Sequence, residues 1–135
     1  MSYGGSAALQ AAIYGQLIGD AELSALTGGA IYDAPPAGTL PSLYVTLGPE
    51  DVRDRSDGTS GGAWHRFTVS VMSDASGFTA AKAAAAAVGD ALMDAELSLD
   101  RGHLAGLHFY QARARRDGAL RRIDLTFRAR VADAV

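Results

Sequence analysis

The most constraining feature of the sequence is a strict alternation of apolar and polar residues near its end. From position 123 to 131 the order is I-D-L-T-F-R-A-R-V, with every odd residue apolar and every even residue polar. A repeat of two residues belongs to a β-strand, because successive side chains point to opposite faces. Residues 120–131 are therefore predicted to form a strand with one buried and one solvated face, which is typical of an antiparallel sheet.

Other segments show the same pattern and predict further strands. Residues 104–115 read as a long strand, and the link Arg116-Asp117-Gly118-Ala119 contains Asp-Gly, a common hairpin signal. Alternation also predicts strands at residues 64–72 and 42–47, with a short strand at residues 30–33. These strands are separated by turn-forming residues or by helical segments, so they can belong to one sheet.

Helical periodicity occupies two longer regions and one short one. Ser6 is expected to cap a helix that runs to about Ile18, and residues 78–93 form an alanine-rich helix. Asp20 caps a short helix that ends before residue 28. The elements together predict an α+β fold, an antiparallel sheet of about four to five strands with two main helices packed on one face. A chain of 135 residues is expected to form a single domain over residues 1–135.

The stretch 48–62 follows neither periodicity. It is rich in charge and glycine, and Val52 is its one residue suited to a core. We interpret it as a long charged loop or an extended hairpin tip, and long loops in small domains are often functional. Its candidate interface residues are Glu50, Asp51, Arg53, Asp54, Arg55 and Asp57.

Charge is distributed unevenly along the chain. Residues 1–100 carry four basic and twelve acidic side chains, a balance of −8, whereas residues 101–135 carry eight arginines and three aspartates, a balance of +5; together they give −3. A basic end can indicate an anionic partner. The same asymmetry also suits head-to-tail association between copies, or it reflects solvated strand faces only.

Five arginines flank the predicted hairpin turn. They are Arg113, Arg115, Arg116, Arg121 and Arg122. A guanidinium group binds phosphate and carboxylate equally well, so these residues are candidates for a binding surface. Three interpretations remain open: contact with nucleic acid, a protein interface with an acidic partner such as the 50–57 segment of another copy, or a solvated hairpin.

The residues that carry enzyme chemistry are missing or poorly spaced. The chain has no cysteine, no G-x-S-x-G nucleophile motif and no phosphate-binding glycine motif. His65, His103 and His108 lack the spacing of a metal site. We therefore expect no catalytic, cofactor-binding or metal-binding residues, and a protein that is not an enzyme. No apolar run is long enough to cross a bilayer, and residues 1–20 do not read as a signal peptide.

Six segments carry a resemblance to a known family. They are residues 6–12 (SAALQAA), 29–33 (GAIYD), 41–48 (PSLYVTLG), 65–71 (HRFTVSV), the helix 77–92, and 121–131 (RRIDLTFRARV). In their order and spacing the chain resembles the tail-completion or tail-terminator proteins of long-tailed phages, and among these the version in gene transfer agents of alphaproteobacteria. The match extends over nearly the whole chain.

The resemblance implies a structural role without cofactors. Such proteins form a ring, expected to be hexameric, that caps the head-proximal end of the tail tube and stops tube polymerisation. The implied partners are other copies, the major tail tube protein, the head–tail connector or stopper, and DNA passing through the lumen without sequence-specific binding; no membrane is involved. Assembly in the bacterial cytoplasm and release in the neck of a phage-like particle are expected.

Two alternatives to the tail-terminator interpretation remain open. One is a head-side connector or stopper of the same neck, which the residues themselves do not distinguish from a terminator. The other is a small nucleic-acid-binding module that uses the arginine-rich hairpin, whose DNA binding should weaken as the salt concentration rises.

Overall fold

The computed structural model describes residues 3–54, 61–93 and 95–133 of the chain. Within these ranges the elements are α1 Ser6–Ile18, α2 Ala21–Thr27, β1 Ile31–Tyr32, β2 Leu43–Asp54, β3 Gly62–Ser73, α3 Thr79–Met93, β4 His103–Asp117 and β5 Leu120–Ala132. The predicted α+β class is confirmed. The two main predicted helices correspond to α1 and α3.

The five strands form one sheet in the order β1-β2-β3-β5-β4. Three of the pairings are antiparallel, but β1 runs parallel to β2, with Ile31 opposite Val45. The expectation of an antiparallel sheet is corrected here, because the sheet is mixed. The reason lies in residues 33–42, a connection with three prolines that returns the chain to the same end of the sheet before β2 begins, whereas a tight turn would have reversed its direction.

The core lies between one face of the sheet and a layer formed by the three helices. α1 contacts β1, α2 contacts β2, and α3 contacts β3, β5 and β4, while the helices also contact one another. The side chains that fill this layer are almost completely buried; the larger ones include Leu9, Ile13, Leu17, Leu23, Val45, Val69, Val71, Val88, Leu92 and Phe127. Burial of each large aliphatic or aromatic side chain contributes about 1.5–3 kcal/mol. Packing of the helices on one face is therefore the main source of stability.

The predicted hairpin between β4 and β5 is confirmed. Asp117 lies opposite Leu120, so the turn consists of Gly118 and Ala119. Gly118 has a φ of 61°, a conformation that favours glycine over residues with a side chain. Glycine at the first position of a two-residue turn matches the right-handed twist of the two strands it joins.

The two predicted helix caps have different outcomes. Asp20 caps α2, since its carboxylate accepts a hydrogen bond of 2.9 Å from the backbone N–H of Leu23. The expected cap at Ser6 is wrong, because Gly5 occupies that position and Ser6 is the first helical residue. The Ser6 hydroxyl instead donates a hydrogen bond of 2.6 Å to Glu50.

Part of the stretch 48–62, interpreted above as a long charged loop or an extended hairpin tip, is regular structure. Residues 48–54 belong to β2, which continues past an irregularity between Leu47 and Glu50, and β3 begins at Gly62. Asp51, Arg53 and Asp54 are exposed there, and this exposure removes the apolar alternation by which a strand is recognised. Residues 55–60 lie outside the described residues.

Candidate interaction surface

The sheet face that points away from the helices is called the open face here. Strand register places on it the polar even-numbered residues of β5 together with their neighbours on β2, β3 and β4. Its arginines are Arg53, Arg66, Arg113, Arg115, Arg122, Arg128 and Arg130, and its aspartates are Asp51, Asp117 and Asp124. The described part of the open face is therefore basic.

Arginines and aromatic rings stack in the middle of the open face. The Arg66 guanidinium carbon lies 4.4 Å from the centre of the Tyr110 ring, and that of Arg128 lies 4.8 Å from the centre of the Trp64 ring. Trp64 also lies near His108, with 6.4 Å between ring centres. Rings stacked in this way hold the guanidinium planes while leaving N–H groups along their edges for an anion.

The ribbon of β2 and β3 adjoins this cluster. A cleft of about 570 Å³ is lined by Asp51, Arg53, Trp64, Arg66 and Arg128, among others. Two residues predicted from the 48–62 stretch, Asp51 and Arg53, thus lie beside an arginine–aromatic cluster that the sequence did not indicate. The predicted Asp54 is opposite Ala63 in the strand register and also lines this cleft, while Arg55 and Asp57 lie outside the described residues.

Two of the five hairpin arginines surround a half-buried carboxylate. Arg122 Nε lies 2.9 Å and Arg115 lies 3.5 Å from the carboxylate of Asp124. Ser70 donates to the same carboxylate at 2.6 Å, and Arg122 also reaches Asp117 at 3.4 Å. This end of the open face therefore balances much of its own charge.

The charges of Asp124 and Arg122 stabilise each other. Burial raises the pKa of Asp124, but hydrogen bonds from Ser70 and Arg122 and the positive charge of Arg122 outweigh it, so the pKa lies below its usual value. The hydrogen bond to Asp124 raises the pKa of Arg122, with burial opposing it. Both groups are held in their charged forms.

The structure separates the hairpin arginines into two groups. Arg113 lies opposite Asp124 on the open face, with Arg115 and Arg122 beside it. Arg116 and Arg121 face each other on the opposite side, where Arg121 donates a hydrogen bond of 2.7 Å to the backbone oxygen of Ser76. Alternation along the strands causes this separation, because residues one apart point to opposite faces.

Glu50 lies in a separate polar network near the start of the chain. It accepts hydrogen bonds from Tyr3 at 2.8 Å and from Ser6 at 2.6 Å, and His65 Nδ1 lies 3.3 Å from its carboxylate. Burial raises the pKa of Glu50, but the hydrogen bonds from Ser6, Tyr3 and His65 outweigh it and leave a lowered pKa. Glu50 thus attaches the N-terminal segment to β2 and does not join the charges of Asp51 and Arg53.

Arg66, Arg128 and Trp64 are the site residues that sequence reasoning missed. Arg66 and Arg128 occupy polar positions of their strands, and this was their only signal. Nothing in the sequence indicates that β3 pairs with β5. This pairing places Arg66 directly opposite Arg128. Tyr110 reaches them from β4, at an irregularity in the register between Phe109 and Gln111.

Two other kinds of site, a metal centre and a membrane span, are absent from the described ranges. No group of three or more histidine, aspartate or glutamate side chains there is placed to hold a metal ion. Among the helices described above, none is long and apolar enough to cross a membrane.

Comparison with known proteins places the chain beside phage tail components. Residues 11–132 match the family described as tail completion protein gp17. A chain in the solved structure titled "Virion of native gene transfer agent (GTA) particle" is 59% identical, with 97% of this chain and 99% of that chain covered and a TM-score of 0.92. No curated protein gave a significant match.

Proposed function

This chain belongs to the tail completion protein gp17 family, and from that premise we propose that it forms a ring on the head-proximal end of a phage-like tail tube. The ring is expected to be hexameric. It stops polymerisation of the tube and joins the tail to the head connector, with DNA passing through its lumen. In this proposal the protein acts through its surfaces and transforms no substrate.

The observation that carries the proposal is the match to a chain of an assembled gene transfer agent particle. The two chains are 59% identical over nearly all of both lengths. Since that chain is found in a virion, the role most directly transferred to this chain is that of a particle component.

The distribution of charge supports assembly through unlike surfaces. The open face is basic, whereas Glu22 and Asp90 are exposed on the helices that cover the other face. A closed ring requires two different patches that meet between neighbouring copies. Patches of opposite charge on different parts of the surface favour one orientation of approach over others.

Removal of the protein from the producing cell tests the proposal. Electron microscopy should show tail tubes of uncontrolled length that are not attached to heads. A head-side stopper predicts a different result, because its loss should leave finished tails of normal length and heads that have lost their DNA. Intact particles with normal tails would contradict both roles.

A second candidate function, contact with nucleic acid, is favoured by the arginine–aromatic cluster. The ion pairs described above for the open face join Arg115 and Arg122 to aspartates, whereas the guanidinium groups of Arg66 and Arg128 lie over aromatic rings. Such groups suit phosphate oxygens of a DNA backbone. This interpretation transfers the predicted nucleic-acid contact from the hairpin end to the centre of the sheet.

Binding of double-stranded DNA to the purified protein tests this second function. Affinity should fall steeply as salt rises, and the double variant Arg66→Gln/Arg128→Gln should reduce both the affinity and its salt dependence. Arg116→Gln is the matched control, because Arg116 lies on the opposite side of the sheet. Equal losses in the variant and the control would exclude a specific role for the cluster.

A further inference from the structure

A second surface lies on the helix-covered side, between α3 and the edge strand β4. It is a groove of about 520 Å³ with mostly apolar walls. Its walls include Ala85, Gly89 and Met93 from α3 and Phe109, Ala112 and Ala114 from β4. Phe109 and Met93 are 51% and 41% exposed, which is unusual for large apolar side chains that lie beside a core.

The groove forms because the helices do not cover the full width of the sheet. α3 is the helix that packs against β4, and every side chain of β4 from His108 to Asp117 is exposed. β4 also lies at the end of the strand order, so β5 is its one neighbour in the described sheet. Exposed edge strands invite association, and proteins usually cover or blunt them.

The opposite end of the sheet carries a different apolar patch. Ile18 at the end of α1 and Leu26 in α2 are 46% and 40% exposed. α1 contacts β1 and α2 contacts β2, so this patch belongs to the sheet edge that is farthest from β4 in the strand order. Both helices also pack against α3, so the two patches are different parts of one helix-covered side.

Charges near the two patches are complementary. Lys82 lies in the wall of the groove, and Arg116 and Arg121 lie on the same side of the sheet at the hairpin end. Asp20 and Glu22 begin α2, beside the patch formed by Ile18 and Leu26. One acidic side chain, Asp90, also lines the groove, so the charges of the two patches are only partly complementary. They orient the contact, whereas burial of apolar surface supplies most of its free energy.

We propose that the α1–α2 end of a second copy of this chain packs into the groove between α3 and β4. The contact is head to tail, because a different patch is used on each copy, and such contacts generate rings when the rotation closes. Alanine and glycine in the α3 wall allow a neighbouring helix to approach closely. The inference rests on the ring proposed above and names the interface between its subunits.

Disulfide cross-linking tests the contact, since the chain contains no cysteine of its own. Particles assembled from the double variant Leu26→Cys/Phe109→Cys should give a ladder of covalent oligomers after mild oxidation, seen on non-reducing gels. A second pair, Ile18→Cys/Met93→Cys, allows for a small offset, since a disulfide requires Cα atoms within about 7 Å. A link within one copy would leave the protein a monomer on the gel, so only links between copies give a ladder.

Two controls make the outcome decisive. Leu26→Cys/Gln111→Cys uses the same strand but the open face, and it should give no ladder. The single variant Phe109→Cys should remain uncross-linked, because a link between two Phe109 positions would mean a symmetric contact and overturn the proposal. Absence of a ladder for both test pairs, in particles with normal tails, would overturn it as well while leaving the tail-completion role intact.

A charge placed in the groove provides an independent measurement. Phe109→Glu should lower the yield of tailed particles by about tenfold or more, because the contact would bury an unpaired carboxylate. Gln111→Glu is the matched control on the same strand and should leave the yield unchanged. Thermal unfolding of both variants separates a lost contact from a lost fold, and a normal yield from folded Phe109→Glu protein would contradict the proposal.

Discussion

The two faces of β5 share one backbone and differ almost completely in their surroundings. Toward the helices, Ile123, Leu125 and Phe127 are at most 5% exposed. Toward the open face, Asp124 and Arg128 remain partly exposed and contact other charged or aromatic side chains. The comparison indicates that the covered face supplies most of the stability, whereas the open face can change most of its exposed charges at little cost and is suited to recognition.

The largest expected difference between the faces comes from Phe127. This side chain is completely buried and packs between Phe67 and Phe109, with ring centres 5.5 and 5.8 Å away. Phe127→Ala should lower the free energy of unfolding by about 3–5 kcal/mol, measured by denaturant titration. Thr126→Ala, the next residue on the open face, should change it by about 0.5 kcal/mol or less. Similar losses of unfolding free energy in Phe127→Ala and Thr126→Ala would contradict this difference between the two faces.

Asp124 tests whether the open face contributes any stability. Asp124→Asn should lower the free energy of unfolding by about 1–2 kcal/mol, because it weakens charge-assisted hydrogen bonds from Ser70 and Arg122. The same titration applied to Asp51→Asn, an exposed carboxylate on the same face, should show almost no change. If Asp124→Asn also leaves the free energy of unfolding unchanged, the charges of the open face have no structural role.

Lowering the pH should reduce the stability by less than Phe127→Ala does, through protonation of Glu50 and Asp124. The pKa of each carboxyl lies below its usual value in the folded state, so its stabilising contribution is present above the unfolded pKa of about 4 and is lost as the pH falls through the folded value. Unfolding measured between about pH 6 and pH 3 should show this decline. The decline should become shallower in Glu50→Gln and Asp124→Asn, and an unchanged slope in both variants would contradict the assignment.

The smallest expected effect on stability is at the arginine–aromatic cluster. Arg66→Gln and Arg128→Gln should each change the free energy of unfolding by about 1 kcal/mol or less, because stacking of exposed arginines on rings is weak. Thermal unfolding of the two variants beside the parent protein measures this. A larger loss would mean that the cluster holds the sheet together, and the comparison between a stabilising and a recognising face would need revision.

Most local structure could be predicted from the sequence, because helices and strands depend on short-range periodicity. The helix around Leu9 to Leu17, the hairpin at Asp117-Gly118 and the alternation in β5 were all visible before the structure. The strand at residues 48–54 was indicated only through one of two interpretations, an extended hairpin tip, since its side chains are charged and no core imposes an apolar repeat there. The parallel pairing of β1 with β2 was also missed, because periodicity does not specify the direction of a connection.

The candidate site was only partly predictable, for a related reason. The hairpin arginines could be found because they lie close in the sequence, yet alternation placed Arg116 and Arg121 on the face opposite Arg113, Arg115 and Arg122. Their adjacency along the chain suggested one patch, whereas the pleat of the two strands divides them. The small alanines of α3 indicated that this helix could lie close to a sheet or to a neighbouring subunit, but no sequence signal showed that β4 forms the other wall of the groove.

The sequence by itself determined which residues of each strand share a face and where the chain turns, because these depend on the two-residue repeat of a strand and on the backbone preferences of residues such as Gly118. Only the tertiary structure decided which strands are neighbours. By placing β3 beside β5, it brings Arg66 and Arg128 together from distant parts of the chain, and by ending the helix layer at α3 it leaves β4 uncovered. Strand order depends on how the whole hydrophobic face is buried at once, and no local pattern encodes that.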